Sequence, residues 1–322
     1  MPVTPPSPKV LFVSSNRIGD CVISSGVVRE IARQVPGARI TVACGRPPAP
    51  FFRAAPNVER VIILDKKKMA GHWVALWRQV VGTRWDMVID IRGSALSYLI
   101  PARRRVVYNR SWETGLPKVE MVSRMMGAPS TLAPELFIDD RARAEAAVVI
   151  DPQLATAPGP IMALAPIAHQ PGKSWPADRW GALVEKLKAE PRFDGWRFMP
   201  VGGPGDRAPA TPALQAAGPR GIDFVGKGDI LASAAAIDRA ALFVGNDSGL
   251  MHVAAAAGRP TLGLFGPTEW WLYGPWGPRT RTVASNETRG AFAPIEDLSV
   301  DHVFDAILTL HDHYIGSGEP PG

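Results

Sequence analysis

Short, almost wholly apolar runs alternate with segments of helical spacing along this chain, and after a break the alternation begins again. A parallel strand that is covered on both faces is apolar at nearly every position, whereas the helix that follows it is apolar along one stripe. The pattern therefore predicts an α/β fold with two Rossmann-like, doubly wound parallel sheets. The strands predicted for the first half are KVLFVSS, ARITVACG, VERVIILD and WDMVIDIRG.

The break falls at residues 149–160, where Pro, Ala and Gly are frequent, and it indicates a linker. With 322 residues the chain is too long for one ordinary core, so we expect two domains, 1–153 and 154–322. Such sheets bind ligands at the carboxyl ends of their strands, which places the expected site in a cleft between the two domains. A last amphipathic helix at about 299–315 is expected to pack back on the first domain.

Charge is distributed unevenly along the sequence. Residues 1–150 hold 22 Lys and Arg against 12 Asp and Glu, and the remainder holds 14 against 18. Random variation of surface charge is one interpretation, and an anionic partner of the first half is the other: a phosphorylated substrate, a nucleic acid or an acidic membrane surface. Nucleic acid is the least favoured of these, because no nucleic-acid motif occurs and basic residues are poorly interleaved with aromatic ones.

Other features bear on the compartment. No apolar run approaches the roughly 20 residues that a membrane helix needs, and the first residues, MPVTPPSPKVLFVSS, lack the pattern of a signal peptide. The two cysteines, Cys21 and Cys44, fit a reducing environment. The six histidines do not have the spacing of metal ligands. We therefore expect a cytoplasmic protein without a metal site.

The loop NRIGD joins the first predicted strand to a helix and carries Asp20. Asp is a favoured N-cap residue and Gly19 would ease the turn, so a purely structural role is one interpretation. The other is catalytic, since an acidic side chain at the carboxyl end of a strand can act as a general base. The loop contains no GxGxxG, which argues against a dinucleotide site in this half.

Two loops of the second half suit a phosphate or a nucleotide. HQPGKSWPADRW carries Lys173, which is either a solvated surface charge or a point charge for a diphosphate, and His169 lies in the same loop. PVGGPGDRAPA ends a strand with glycines that let the backbone approach a ligand, and it continues into Asp206. The glycines also suit an ordinary tight turn, and no P-loop Lys-Ser/Thr follows them.

The stretch VGNDSGLMHVAAAAG ends a strand and begins a helix. Asp247, Ser248 and Gly249 stand at the predicted helix N-terminus, where unpaired backbone N–H groups and the helix dipole together attract phosphate. His252 follows Ser248 by one turn on the same side. A capped helix with one hydrogen-bonded histidine would give the same pattern, so both interpretations remain at this point.

Several arginines follow the fourth predicted strand. Residues of this kind are often solvated surface charges. Their density in one stretch also suits the binding of a phosphorylated acceptor, because a guanidinium group can form two parallel hydrogen bonds to a phosphate or carboxylate. The candidates are Arg92, Arg103, Arg104, Arg105 and Arg110.

Four blocks of this sequence occur together in a recognisable order: VLFVSSNRIGDCVISSGVVREI, GKSWPADRW, VGGPGDR and VGNDSGLMHVAAAAGRPTLGLFGPTEWWLYGPWG. In these blocks, from about Lys9 to about Trp276, the chain resembles glycosyltransferase family nine, the lipopolysaccharide heptosyltransferases. The last block is the most specific one, since an Asn-Asp-Ser/Thr-Gly turn, a following His and a Phe-Gly-Pro-Thr segment rarely coincide.

The resemblance implies a GT-B fold whose first domain binds the acceptor and whose second domain binds a nucleotide-sugar donor. It implies inverting transfer of a heptose or related sugar from an ADP-sugar to a lipopolysaccharide core or a similar anionic glycolipid, without a metal or other cofactor. The basic first half would then face the acceptor. The enzyme would work in the cytoplasm, with peripheral contact at the inner face of the inner membrane.

Carried onto this sequence, the Gly-Asp turn of the family makes Asp20 the general base. The lysine before a Trp-Pro pair makes Lys173 a ligand of the diphosphate, and the acidic residue after the Gly-Pro-Gly turn makes Asp206 a ribose contact. Well-known members carry hydroxyl residues where this chain has Ala168 and His169, and this departure bears on the identity of the donor. The residues expected around the phosphates and sugar of the donor are Asp247, Ser248, Gly249 and His252.

Two other classes of protein are compatible with doubly wound sheets. A NAD-dependent oxidoreductase would need the GxGxxG turn and the ribose-binding acid at the usual distance, and both are missing. A non-catalytic relative would bind nucleotide and transfer nothing. The presence of both Asp20 and Lys173 in their motifs argues against such a relative.

Overall fold

The computed structural model describes residues 7–66, 68–112 and 115–316. The chain divides into two compact units, Met1–Phe137 and Ile138–Gly322. Each unit contains a parallel sheet with helices, as the alternation of the sequence predicts. Charge follows the same division: residues 1–137 hold 20 Lys and Arg against 9 Asp and Glu, and residues 138–322 hold 16 against 21.

The first unit has a five-stranded sheet. Its strands are β1 (Lys9–Val13), β2 (Arg39–Cys44), β3 (Val58–Ile63), β4 (Trp85–Asp90) and β5 (Ala102–Val107). Its helices are α1 (Ile18–Ile23), α2 (Val27–Gln34), α3 (Ala49–Arg53), α4 (Gly71–Val80) and α5 (Lys118–Met126). The strands are parallel in the order β3-β2-β1-β4-β5, so the carboxyl ends of all five lie along one edge.

The central strand β1 shows why the apolar runs form this sheet. Val10, Leu11, Phe12 and Val13 are all fully buried. Successive side chains of a strand point to opposite faces. Val10 and Phe12 accordingly pack in the core beneath α2 and α5, and Leu11 and Val13 pack in the core beneath α4. A strand between two cores has no solvent face, which explains its unbroken apolar run.

The segment predicted as one helix after Asp20 is divided into α1 and α2. The division falls where the chain comes close to a second segment, because Gly26 has no room for a side chain: an added Cβ would lie 2.5 Å from the carbonyl oxygen of Ala133. Ser25 closes the same contact, since its Oγ accepts from the backbone N–H of Glu135 at 2.7 Å. The sequence shows the glycine, but it does not reveal which segment packs against it.

The second unit has a six-stranded parallel sheet. Its strands are β6 (Ile161–Ala165), β7 (Arg197–Gly202), β8 (Phe224–Val225), β9 (Leu242–Asn246), β10 (Thr261–Phe265) and β11 (Thr280–Ala284). Its helices are α6 (Asp140–Thr156), α7 (Ala177–Ala189), α8 (Arg207–Ala217), α9 (Ile230–Asp238), α10 (Gly249–Ala256), α11 (Trp270–Tyr273) and α12 (Val300–Tyr314). The strand order is β11-β10-β9-β6-β7-β8.

The linker expected at residues 149–160 is mostly the second half of helix α6. This helix belongs to the second unit, because Arg143 forms an ion pair with Asp238 of α9 at 2.9 Å. Its buried face consists of Ala142, Ala146 and Ile150. Small residues let α6 pack closely against α9, and the Pro and Ala residues that suggested a linker lie partly in its last turns. The units therefore divide between residues 137 and 138, and not between 153 and 154.

Helix α12 lies where a last amphipathic helix was predicted. Val303, Phe304, Ile307 and Leu310 are buried in the core of the second unit, and the helix contacts α7, β10 and β11. These four residues recur at the helical spacing that places them on one face. The contacts that bury α12 are thus contacts within the second unit.

Edge strands account for most of what the pattern did not reveal. Strand β5 reads ARRRVV and lies at the edge of the first sheet, and β11 reads TRTVA at the edge of the second. An edge strand exposes side chains that a central strand buries, so its apolar signal is weak.

None of the helices in the described ranges is both long and apolar enough to cross a membrane.

Candidate functional site

The carboxyl edge of the first sheet carries Asp20. Asp20 lies in the first turn of α1, and its carboxylate accepts a hydrogen bond from Ser15 Oγ at 3.0 Å. The N-cap position is occupied by Arg17, and no side chain caps this helix. The capping role that the sequence allowed for Asp20 is therefore not what the side chain does. It is held at the strand end by a single hydroxyl and is partly exposed, as a group that takes a proton from a substrate must be.

A buried aspartate shapes the neighbouring loop, and sequence reasoning missed it. Asp90 ends β4 and is fully buried. Its carboxylate accepts from the backbone N–H groups of Arg92 at 2.8 Å and Ser94 at 2.9 Å, and from the hydroxyls of Ser94 and Ser97. Four donors on one carboxylate fix the course of the loop after β4. Asp90 therefore fixes the backbone position of Arg92 in that loop.

Arg92 is directed toward the loop that precedes Asp20. Its Nη1 donates to Asn16 Oδ1 at 3.2 Å, and its guanidinium lies over the ring of Trp73 at 4.8 Å from the centroid. Stacking on an aromatic face leaves the edge of the guanidinium open to further acceptors. Asn16 and Trp73 were not among the predicted residues. The only signal for them was their position directly after a strand and at the start of a helix.

The structure does not bring the other predicted arginines to this place. Arg103 forms an ion pair with Asp86 at 2.9 Å near the amino ends of the strands, and Arg104 donates to Gln34 at 2.8 Å. Arg105 donates to the backbone carbonyls of Ser97, Ile100 and Ala102. The alternation of a strand sends Arg104 to the face opposite Arg103 and Arg105, and those two differ in their hydrogen-bond partners. The side chain of Arg110 lies outside the described part of the chain.

The thiol next to Asp20 is not a competing nucleophile. Cys21 is buried, and burial in the core raises the pKa of its thiol far above the ordinary value. Burial likewise raises the pKa of Cys44 to about 12. A thiol with such a pKa remains protonated near neutral pH, whereas the thiolate is the reactive form. Cys21 contributes instead to packing, with Ser14 Oγ 3.4 Å from its Sγ.

In the second unit the structure brings Lys173 and Asp247 together across 74 positions of sequence. Lys173 Nζ lies 2.6 Å from Asp247 Oδ2, and the two side chains are only 15% and 7% exposed. The same carboxylate oxygen accepts from Thr268 Oγ1 at 2.8 Å. Lys173 follows β6, Asp247 follows β9 and Thr268 follows β10, which are neighbouring strands. Thr268 was not predicted, although it belongs to the quoted Phe-Gly-Pro-Thr segment.

The N-terminus of α10 lies beside this ion pair. Its N-cap residue is Ser248, whose side chain makes no capping hydrogen bond, and the Oγ is buried without a hydrogen-bond partner. Asn246 is fully buried; its Oδ1 accepts from Trp175 N at 3.1 Å, while its Nδ2 is also without a partner. Buried polar atoms are nearly always hydrogen-bonded. Two such atoms beside an uncapped helix of Gly249–Ala256 indicate a binding site for polar groups.

The remaining predicted residues lie in the same unit. Asp206 is buried and its carboxylate accepts from Gly203 N at 2.7 Å, so it fixes the turn after β7. Its other oxygen lies 3.5 Å from Nε2 of His169, whose side chain is exposed. His252 is buried in α10. The structure thus brings His169 close to Asp206 and Lys173 close to Asp247. The hydrogen bond from Gly203 gives Asp206 a role in the turn itself.

A cluster of aromatic residues that was not predicted follows Thr268. Trp270 and Trp271 pack edge to face with ring centroids 5.8 Å apart, and Trp271 stacks with Phe292 at 6.5 Å. Trp270 Nε1 is buried without a hydrogen-bond partner, and Phe292 is 54% exposed. The cluster begins two residues after Thr268, which contacts Asp247.

The loop that carries Thr268 depends on Gly266, and replacing this glycine by alanine is expected to destabilise the second unit. An added Cβ would lie 2.6 Å from the backbone nitrogen of Ile295, so one segment must move. Overpacking of this kind costs roughly 1–3 kcal/mol. Urea unfolding of Gly266→Ala measures the loss. Gly205→Ala is the matched control, because nothing lies within 4 Å of its added Cβ. Equal midpoints for the two variants would contradict the prediction.

Comparison with known proteins adds a family to this geometry. The family model described as glycosyltransferase family 9 (heptosyltransferase) matches residues 73–293, more than half of the chain. A lipooligosaccharide heptosyltransferase 2 of Haemophilus influenzae is 24% identical over 293 residues, which cover 80% of this chain and 83% of the relative.

Solved structures agree with the fold. A glycosyl transferase family 9 protein of Veillonella parvula superposes with a TM-score of 0.80 at 20% identity, covering 96% of this chain and 98% of the other. A heptosyltransferase of E. coli solved with ADP gives a TM-score of 0.69 at 19% identity, covering 94% and 99%. The predicted α/β fold of two Rossmann-like units, the GT-B fold, is confirmed. The chain belongs to glycosyltransferase family 9, and the protein is a glycosyltransferase.

Proposed function

We propose that the enzyme transfers a heptose or related sugar, with inversion, from an ADP-sugar to a lipopolysaccharide core or similar anionic glycolipid. The second unit would bind the donor and the first the acceptor. The observation that carries the proposal is the pair Lys173–Asp247 beside the uncapped start of α10, with Ser248 Oγ and Asn246 Nδ2 buried and unpartnered. A cation, a helix N-terminus and hydrogen-bonding groups together suit a diphosphate.

The reaction assigns a role to each unit. The acceptor hydroxyl oxygen forms a bond to the anomeric carbon of the donor sugar, the bond from that carbon to the diphosphate breaks, and ADP leaves. Asp20 takes the hydroxyl proton as general base. Lys173 and the N–H groups at the start of α10 neutralise the charge that develops on the leaving diphosphate. We propose that these groups supply enough positive charge for transfer to proceed without a metal.

The remaining predicted site residues are assigned to the donor or to the acceptor. Gly249 and His252 of α10 would contact the phosphates or sugar, and Asp206 with His169 would contact the nucleoside. Arg92 is the proposed acceptor ligand in the first unit, because it lies in the loop next to Asn16 and Asp20. The contacts of Arg103, Arg104 and Arg105 give no support to a shared anion site. An acceptor carried in the inner membrane would bring the enzyme to its cytoplasmic face.

The decisive test combines binding and turnover. In a thermal-shift panel of ADP, UDP, GDP, CMP and NAD, ADP is expected to raise the melting temperature most. At a concentration of 100 times Kd, binding adds about 2.7 kcal/mol, which corresponds to roughly 5–10 °C for a domain of this size. ADP-heptose and a lipopolysaccharide core acceptor are then expected to give product at the same rate with and without EDTA.

Each alternative gives a different result in the same experiment. If UDP or GDP raises the melting temperature more than ADP does, the donor carries that nucleotide and not ADP. Loss of product in EDTA would show that a metal takes part. A shift with ADP but no product from any sugar donor would indicate the non-catalytic relative. If NAD alone raises the melting temperature, the proposal that the second unit binds a nucleotide-sugar would be contradicted.

A further inference from the structure

Exposed apolar side chains gather on one side of the first unit. Within the ranges that the structure describes, seven large apolar side chains are exposed, and five of them lie in two neighbouring segments. We call these five the apolar patch. It consists of Met69, Val74, Trp77, Tyr98 and Leu99, with exposed fractions of 100%, 52%, 39%, 67% and 65%.

The patch is a single surface. Val74 and Trp77 are three residues apart on α4 and share its outer face. Trp77 Nε1 donates to the carbonyl oxygen of Leu99 at 3.1 Å, which joins the helix to the turn that carries Tyr98. Met69 lies in the turn that leads into α4. The inner face of α4 is buried in the core, so the patch is the side of this helix that the first unit leaves uncovered.

The start of the patch has an unusual backbone. Met69 and Ala70 both have positive φ, at 51° and 56°. Non-glycine residues adopt this conformation at a cost, and such residues are concentrated at functional positions. The conformation here leaves the thioether side chain of Met69 fully exposed.

The two segments that carry the patch also carry exposed cations. Lys66, Lys68, Arg78 and Arg105 are all exposed. No Asp or Glu occurs at positions 66–85 or 91–112. The neighbouring Asp65 is already paired with Arg46. A region that combines exposed aromatic and aliphatic groups with cations is complementary to anionic headgroups above an apolar layer.

The patch adjoins the loops around Asp20. Trp73 precedes Val74 on α4, and Arg92 lies over the ring of Trp73. Arg92 in turn donates to Asn16, in the loop that leads to Asp20. These contacts connect the helix that carries the patch with the loop that leads to Asp20.

We propose that the apolar patch docks on an anionic phospholipid bilayer, with its apolar side chains entering the headgroup layer and its cations contacting lipid phosphates. This inference rests on the proposed function, since it names the surface from which a lipid-anchored acceptor reaches Asp20. A second copy of the chain is a poorer occupant. A symmetric contact through this patch would place the two sets of lysines and arginines against each other, and like charges at an interface are unfavourable.

The test measures the binding of the full chain to vesicles by flotation. Wild type is expected to bind vesicles of phosphatidylethanolamine and phosphatidylglycerol, to bind phosphatidylcholine vesicles weakly, and to lose affinity as salt rises. Met69→Asp combined with Leu99→Asp is expected to weaken binding by at least about tenfold. Lys66→Gln and Lys68→Gln are expected to weaken it by about fivefold each.

Two controls separate docking from folding and from catalysis. Val148→Asp changes an equally exposed apolar residue, 75% exposed on α6, and is expected to leave vesicle binding unchanged. The double variant is expected to keep the wild-type melting temperature, because both residues are exposed and Asp tolerates the positive φ of position 69. It is also expected to transfer sugar normally to a deacylated, water-soluble acceptor.

Several outcomes would overturn the inference. Wild type that does not bind anionic vesicles, or a double variant that binds them as wild type does, removes the docking surface. Light scattering that finds a wild-type dimer, and a monomer for the double variant, would assign the patch to a second copy. Failure of wild type to act on the water-soluble acceptor would count against the proposed function and leave the vesicle result intact.

Discussion

Replacement of Asp20 by alanine is expected to lower the transfer rate by roughly 10²–10⁴-fold, the usual contribution of a general base, while ADP binding is unchanged. The acceptor hydroxyl has a pKa far above neutrality, so it is a weak nucleophile until a base takes its proton. Asp20 belongs to the first unit, and Lys173 and Asp247 belong to the second. Loss of the Asp20 carboxylate should therefore act on turnover and leave the affinity for the donor nucleotide as it was.

Conservative variants distinguish a base from a structural group at this position. Asp20→Asn preserves size and can still accept from Ser15 Oγ, yet it cannot take a proton, so its rate should be as low as that of alanine. Ser15→Ala removes only the hydrogen bond that positions the carboxylate, and a smaller loss is expected. Glu59→Ala is the matched control, because this glutamate of β3 is paired with Arg39 at the amino end of the sheet. Full activity of Asp20→Asn would disprove the assignment.

Replacement of Lys173 by alanine is expected to weaken ADP binding by about 10- to 100-fold. A hydrogen bond to a charged group contributes about 1.5–3 kcal/mol, and each 1.4 kcal/mol is a factor of about ten in Kd. Stability should fall as well, since the variant leaves Asp247 buried without its cation. Removing one partner of a buried ion pair costs about 3–5 kcal/mol, and Thr268 Oγ1 would remain as a donor to the carboxylate.

The two effects of this variant can be measured separately. Urea unfolding without ligand gives the loss of stability, and titration calorimetry with ADP gives the loss of affinity. In the variant Lys173→Ala, Asp247→Asn, the buried charge is gone, so stability should recover while ADP affinity stays low. Lys186→Ala removes a lysine of the same unit whose partner, Asp301, is exposed, and it should change neither quantity by much. Wild-type ADP affinity in Lys173→Ala would exclude the diphosphate contact.

The central strands of both sheets could be predicted from the sequence because burial on two faces leaves a plain apolar signature. β1 and β4 lie where apolar runs placed them, and β9 ends where a strand was expected to end before Asp247. The division between the units could not be predicted, because α6 packs with alanines and contains Pro152, a composition that also suits a linker. Edge strand β5 was obscured by its own arginines.

The candidate site divides along a similar line. Polar residues after apolar strands could be located, since the carboxyl ends of parallel strands meet at one edge, and this placed Asp20, Lys173 and Asp247 correctly at strand ends. The partners of each side chain could not be predicted. Asp90 and Thr268 reach their contacts through loop geometry and strand register, which a single sequence does not specify. For the same reason the separate partners of Arg92, Arg103, Arg104 and Arg105 could not be predicted.

The ion pair of Lys173 and Asp247 has a consequence for selectivity. Because Asp247 already neutralises the lysine, an arriving anion must exchange with an internal carboxylate and does not meet an empty positive site. A small ion such as inorganic phosphate would gain little from that exchange, whereas a nucleotide can offset it through further contacts. If the proposed transfer occurs at this site, Asp247 would recapture the ammonium group as the nucleotide departs. The Asp247 carboxylate would thus compete with other anions for Lys173. This competition would limit both the binding of common cellular anions and the retention of the nucleotide product.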